Sequence, residues 1–191
     1  MSASPSRGIR IADYDPDWPR QAAAAIDALG AAAPELFAEI EHIGSTAVPG
    51  LAAKPVIDLM AAVVDLALVP RHQAALAALG FHPHENGMTD RLLFVRADNG
   101  VRSHILHVVT LESWPTRNQR ILRDYLRAHP EEALRYAQLK RAIVGAGKGA
   151  GAGVGIGAGE YARAKTALVQ ELTDRARARL GLPSVPVWEK R

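Results

Sequence analysis

The stretch from Pro55 to Val64, PVIDLMAAVV, constrains the fold more than any other part of the chain. It is a near-continuous apolar run of strand length, far short of the ~20 residues that a membrane helix needs. Such a run marks a strand buried on both faces, and therefore a sheet with cover on each side. One charge, Asp58, interrupts it. A lone carboxylate in an apolar strand is costly unless it is paired, hydrogen-bonded or metal-bound. The strand thus announces both a core and a candidate site.

The rest of the chain is read outward from this strand. Asp17 to Leu29 has helical spacing, with Trp18, Ala22, Ile26 and Leu29 on one face and Gly30 as a stop. Leu36 to Ile43 reads as a strand broken by Gly44-Ser45-Thr46, and Ile9 and Ile11 suit a short edge strand. Arg71 to Leu79 reads as a short helix. Residues 92–97 and 101–110 flank Asp98-Asn99-Gly100, a strong hairpin signal. Helices are expected over 113–128, 130–144 and about 160–180, followed by an irregular tail over 181–191. The order lacks a regular βαβ repeat. It predicts a single α+β domain over 1–180, a small mixed sheet flanked by helices, with further helices C-terminal to it.

Composition narrows the function. The 191 residues contain no cysteine, which excludes disulfides, thiol nucleophiles and thiolate-bound metals. The N-terminus has no apolar core like that of a signal peptide, so a cytoplasmic location is expected, with no membrane partner. A net charge of +3 and 5% aromatic residues give no support to nucleic-acid binding. The oligomeric state is not encoded in any pattern we find.

Residues 145–159, GAGKGAGAGVGIGAG, invite comparison with a phosphate loop. The loop pattern fails, because Gly149 follows Lys148 where Ser or Thr is required, and Ala142 stands at the first glycine. A flexible linker between two helices is the expectation, open to proteolysis.

The informative segment is Glu41 to Met60, EHIGSTAVPGLAAKPVIDLM. A strand ends in Gly44-Ser45, and the apolar strand with Asp58 follows. A small Gly-Ser pair lets a phosphate approach backbone N–H groups. This segment resembles the signature of the GrpB family, within the nucleotidyltransferase superfamily. HILHVV at 104–109, RDYLRAHPE at 123–131, Tyr136 with Leu139-Lys140, and YARAK at 161–165 extend the resemblance over about residues 9 to 175. It implies a nucleotidyltransferase-like fold and leaves the reaction open. Domains resembling this family also occur fused to dephospho-coenzyme A kinase, which suits an accessory role near nucleotide metabolism.

The resemblance assigns candidate roles. Gly44, Ser45 and Thr46 would hold phosphate, with Lys54, Arg123 and Arg127 neutralising charge. Asp58 would hold Mg²⁺ or Mn²⁺ and, with His107, forms the candidate catalytic pair. The superfamily pattern places a second acid two residues after the first, on the same strand face. Here that position is Met60. Glu41 could supply the missing carboxylate. His104 and His107, three apart on a strand, fall on opposite faces and do not chelate one ion together. His42, Asp124, Tyr161 and Lys165 complete the cleft candidates. Ile121, Leu122, Tyr125 and Leu126 form a buried stripe, leaving Arg117, Arg120, Arg123 and Arg127 either solvated or lining the cleft. Two functions follow from different classes. One is transfer of a nucleotidyl or phosphoryl group to an unknown acceptor. The other is a non-catalytic module binding a nucleotide or other phosphorylated ligand, with an incomplete carboxylate set.

Overall fold

The computed structural model describes residues 9–85, 87–147 and 157–187. Helix α1 spans Trp18–Ala32, strand β1 Glu39–Ile43 and strand β2 Ile57–Val63. Helix α2, Gln73–Ala78, follows a 3₁₀ segment over Leu66–His72. Strands β3 (His82–Pro83), β4 (Leu92–Asp98) and β5 (Val101–Thr110) complete one sheet. Helices α3 (Asn118–Ala128), α4 (Pro130–Gly147) and α5 (Ala158–Arg179) end the regular structure. The fold is α+β, as expected.

The sheet order is β1-β2-β5-β4-β3. β2 runs parallel to β5, and the other neighbours are antiparallel. The hairpin forms where the Asn-Gly signal places it, with Asn99 at φ 51° and Gly100 at φ 76°. Both central residues therefore sit at positive φ, matching the twist of the flanking strands.

β2 lies between β1 and β5 and is covered on both sides. Ile57, Leu59, Ala61 and Val63 face the main core with Trp18, Ala22 and Leu29 of α1, Leu76 of α2, and Leu106 and Val108 of β5. Met60 and Ala62 face the other way, into a layer with Ile43, Val109 and Trp114. Helices α3, α4 and α5 pack together with Val48, Leu51 and Ala52 from the loop before β2.

Several boundaries differ from expectation. Helix α1 runs through Gly30, and its end falls at Ala33, whose N–H is donated to Leu29 O. A half-buried helical glycine costs about 1 kcal/mol relative to alanine, too little to stop a helix with a well-packed face. β1 starts at Glu39 rather than Leu36, because Leu36 closes a turn by donating its N–H to Ala33 O. Residues 9–11 form no strand; a single bridge joins Ala12 to Ala53 instead. The predicted 71–79 helix is part 3₁₀, with Pro70 inside. The described ends of the glycine tract are helical, since α4 reaches Gly147 and α5 starts at Ala158. Residues 148–156, the middle of the expected linker, lie outside the described residues.

Candidate functional site

The Gly44-Ser45 break and the Asp58 strand meet as the spacing suggested. Ile43 is opposite Asp58 in the β1–β2 register, so the chain leaves β1 directly beside the carboxylate. Gly44 makes the exit at φ 72°, ψ −170°, a conformation essentially restricted to glycine. A Cβ built there would lie 2.6 Å from Asp58 Oδ2. The backbone therefore passes against the acid. Ser45–Ala47 then form a 3₁₀ turn that carries Ser45 and Thr46 to the mouth of a cavity.

The cavity has a volume of about 330 Å³ and lies between β2 and β5 on one side and α4 and α5 on the other. Its wall includes Ser45, Thr46, Lys54, Asp58, Tyr161 and Lys165 from the expected set. Arg102, Lys140 and Arg163 join them, with Ile9 and Val187 at its edge. Val187 is tied to α5, donating its N–H to Gln170 Oε1 at 2.7 Å.

Among the described residues, Asp58 is the one carboxylate in this wall, beside five cationic side chains. Burial pushes its pKa up to about 6, while Lys165, Lys54 and Arg102 pull the other way. Lys140 Nζ donates to Ser45 Oγ at 3.1 Å and sits 4.3 Å from the Tyr136 ring centroid. Burial, then the charges of Lys165 and Arg141, push Lys140 down to about 7. Lys165 Nζ stands 5.0 Å from the Tyr161 ring centroid. Burial, then Tyr136, raises the Tyr161 phenol, which keeps it neutral.

The other candidates lie outside the cavity wall. Glu41 is opposite Met60, on the Asp58 face of β1 but one pair further along. Arg120 holds its carboxylate in a bidentate pair at 2.7 and 3.1 Å, and Arg123 donates to it at 2.5 Å. Burial alone would raise Glu41, but these two guanidinium groups hold it below the usual carboxylate range. Arg123 also donates to His42 O at 2.9 Å and forms a bidentate pair with Asp124. Arg127 Nε donates to Ala47 O at 2.9 Å. The arginine face of α3 thus lies outside the cavity: Arg120 and Arg123 clamp β1, the partly exposed Arg127 holds the 45–47 turn, and Arg117 binds Asp90 and Ser113. Arginine suits this task because its fork satisfies a carboxylate and a carbonyl together.

The histidines divide as the period-two reading requires. His104 is opposite Ile57 and packs edge-on against Phe81 on the core face. Burial and then Arg96 lower its pKa. His107 is opposite Met60, on the Asp58 face, but does not line the cavity. His42 Nε2 is 2.8 Å from Thr46 Oγ1, which in turn donates to Val56 O at 3.4 Å. Burial, then Arg127, Arg123 and His104, push His42 down to about 4, so it braces Thr46 as a neutral ring.

A divalent cation of the magnesium type wants several oxygen ligands. Among its described residues the cavity offers one carboxylate beside cations, and Met60 is fully buried in an apolar layer. Among the described residues no group of three or more His, Asp or Glu side chains could hold an ion. The donor set does not fit Mg²⁺ or Mn²⁺.

Lys140, Arg102 and Arg163 are the wall residues that sequence reasoning did not assign to a site. Lys140 carried a signal. It occupies the buried stripe of α4 with Ala133, Tyr136, Ala137 and Val144, a position where a lysine is out of place unless it has a task. Arg102 and Arg163 carried no local signal. Among the described residues, no helix is long and apolar enough to cross a membrane.

Residues 8–175 match the family described as GrpB protein, and the chain belongs to it. A UPF0157 protein of Pseudomonas aeruginosa is 34% identical over 187 residues, covering 93% of this chain and 71% of that protein. The crystal structure of conserved protein GrpB from Enterococcus faecalis superposes with a TM-score of 0.80 at 26% identity, over 90% of this chain and 99% of that one. Terminal uridylyl transferase 4 from Trypanosoma brucei with bound dUTP superposes with a TM-score of 0.51 at 15% identity, over 91% and 57% of the two chains. The fold is therefore that of the nucleotidyltransferases.

Proposed function

We propose that this GrpB-family chain binds a phosphorylated small molecule, a nucleotide or another phosphate ester, in the cavity between the sheet and helices α4 and α5. The observation that carries this reading is the charge of the wall: among the described residues, Lys54, Arg102, Lys140, Arg163 and Lys165 stand against Asp58. A concave site with cations of this density and low-dielectric walls concentrates anions. Ser45 and Thr46 supply hydroxyls at the mouth, and the clamp of Arg123 and Arg127 fixes the turn that presents them. Tyr161 and Val169 give an apolar side against which a ring could rest.

A second reading, transfer of a nucleotidyl or phosphoryl group, is favoured by the fold and by the Gly44-Ser45 turn against Asp58. Met60 in place of a second acid, and the arginine-bound Glu41, weigh against metal-dependent turnover. Calorimetry separates the two. ATP and AMP are titrated with and without Mg²⁺ or Mn²⁺ into wild type and Asp58→Ala. Binding without metal that survives Asp58→Ala is expected. Binding that needs the metal and vanishes in Asp58→Ala would favour transfer, and no binding under any condition would refute the cavity as a phosphate site.

A further inference from the structure

The next step rests on the reading of the cavity as an anion site and concerns how the anion is gripped. Lys140 is 2% exposed, on the stripe of α4 that packs against α5 and the 45–47 turn. Its own helix presents Tyr136 and Arg141 to it, and α5 presents Tyr161 and Lys165. The 45–47 turn presents Ser45, while Asp58 from β2, Arg102 from β5 and Lys54 from the intervening loop share the same cavity.

An ammonium group here meets more cations than anions, in a place with little water. The amine can still donate to Ser45 Oγ when neutral, so the hydrogen bond does not require the charge. Burial and the neighbouring cations accordingly hold Lys140 at about 7. A dianion in the cavity reverses both penalties, because it replaces lost solvation and supplies opposite charge. A metal-bound triphosphate brings its own cation into a wall already rich in them, and gains less.

We propose that Lys140 grips the ligand by taking up a proton as the ligand enters, and that the ligand class is a metal-free dianion of the phosphate monoester type. Lys140 thereby converts an empty cavity with a tolerable charge into a loaded one with a complete cation set. Above the range where Asp58 titrates, proton uptake is carried by Lys140.

Sulfate tests this, because it is a dianion that does not titrate near neutral pH. Its affinity for wild type is measured by calorimetry at about pH 7 and pH 9. A group with a pKa of about 7 is about half protonated at the first and about one hundredth protonated at the second, so affinity is expected to fall about fiftyfold. Lys140→Arg, which keeps its charge, is expected to lose most of that fall. Lys140→Met is expected to bind weakly at both values, with melting curves showing that it folds. A wild-type affinity that is flat with pH, or a slope that persists in both variants, overturns the assignment to Lys140 while leaving the cavity an anion site. Sulfate that fails to bind where Mg²⁺-ATP binds overturns the ligand class. Failure of sulfate, AMP and ATP alike at every pH overturns this inference together with the reading beneath it.

Discussion

Gly44→Ala should be among the most damaging single-methyl changes in the chain. The added Cβ would lie 2.6 Å from Asp58 Oδ2, closer than real Cβ atoms approach other heavy atoms, and 3.0 Å from Asp58 Cβ, a tight contact. Gly44 directly follows β1 and Asp58 lies within β2, so the Asp58 Cβ, fixed by the strand, cannot move aside as its Oδ2 can. Two costs add. Holding alanine at φ 72°, ψ −170° costs about 1–3 kcal/mol. Forcing the methyl against Asp58 costs about 1–3 kcal/mol more, the usual range for overpacking. For a chain of this size the sum lowers the melting temperature by of order 10 °C. Two other glycines separate the terms. Gly50, at φ 76° with nothing within 4 Å of its built Cβ, carries only backbone strain. Gly30, inside α1 with open space and ordinary φ, should gain roughly 0.5–1 kcal/mol as alanine. Urea denaturation of the three variants gives the ranking, and Gly44→Ala combined with Asp58→Ala gives the coupling. If Gly44→Ala is no worse than Gly50→Ala, or costs as much when Asp58 is already alanine, the close approach of turn and acid is wrong.

Two further perturbations bear on the clamp and on Lys140. Glu41→Ala removes the carboxylate that faces Arg120 and Arg123, and should cost about 2–3 kcal/mol by urea denaturation at neutral pH. Glu41 is held below its ordinary value of 4.5, so its stabilisation is present above that value and is lost as pH falls through the depressed one. The deficit of Glu41→Ala should therefore shrink in acid, and a deficit that stays constant would show that packing, not the ion pair, is lost. Lys140→Met should stabilise the chain at pH 7. The unfolded lysine keeps its proton up to about 10.5 while the folded one releases it near 7, so wild-type stability rises with pH between those values. The advantage of Lys140→Met should amount to a few kcal/mol at pH 7, at about 1.4 kcal/mol per pKa unit, and fade towards pH 10. A wild type more stable than Lys140→Met at pH 7 would contradict the burial argument.

What was legible in the sequence was what a local pattern can carry. The apolar run around Asp58 gave β2, and Asn99-Gly100 gave the hairpin, because strand burial and turn chemistry act over a few residues. The two-residue β3 carries no periodicity and was invisible. The ion pairs of Arg120 and Arg123 were not legible because their partner, Glu41, is about eighty residues away. A guanidinium group that meets a carboxylate in the fold looks the same on a helical wheel as one in water. The site was half legible for the same reason. Gly44, Ser45, Thr46, Lys54 and Asp58 belong to one continuous segment and came together. Lys140, Arg102 and Arg163 reach the cavity from three separate elements, and only the out-of-place lysine on an apolar stripe could have flagged one of them.

The electrostatics of Asp58 follow from how position 60 is built. In a strand that holds a metal with two acids, residues 58 and 60 both face the cavity. Here Met60 is covered by Ile43, Ala62, Val109 and Trp114, and its register neighbours are Glu41 and His107. The layer is apolar, and the nearby carboxylate is consumed by Arg120 and Arg123, the second of which also donates to His42 O of β1. One added acid at position 60 would meet apolar side chains and no cation bound for the cavity, so a single substitution does not restore the carboxylate pair. Asp58 is left facing Lys54, Arg102 and Lys165, and its buried charge is balanced by cations rather than sharing one. Among the described residues the wall therefore carries an excess of positive charge around one carboxylate. Burial first, and the charges of Lys165 and Arg141 next, act against a charged Lys140, and the proposed anion would offset both. The strand that organises the core therefore also carries the carboxylate around which these cations gather.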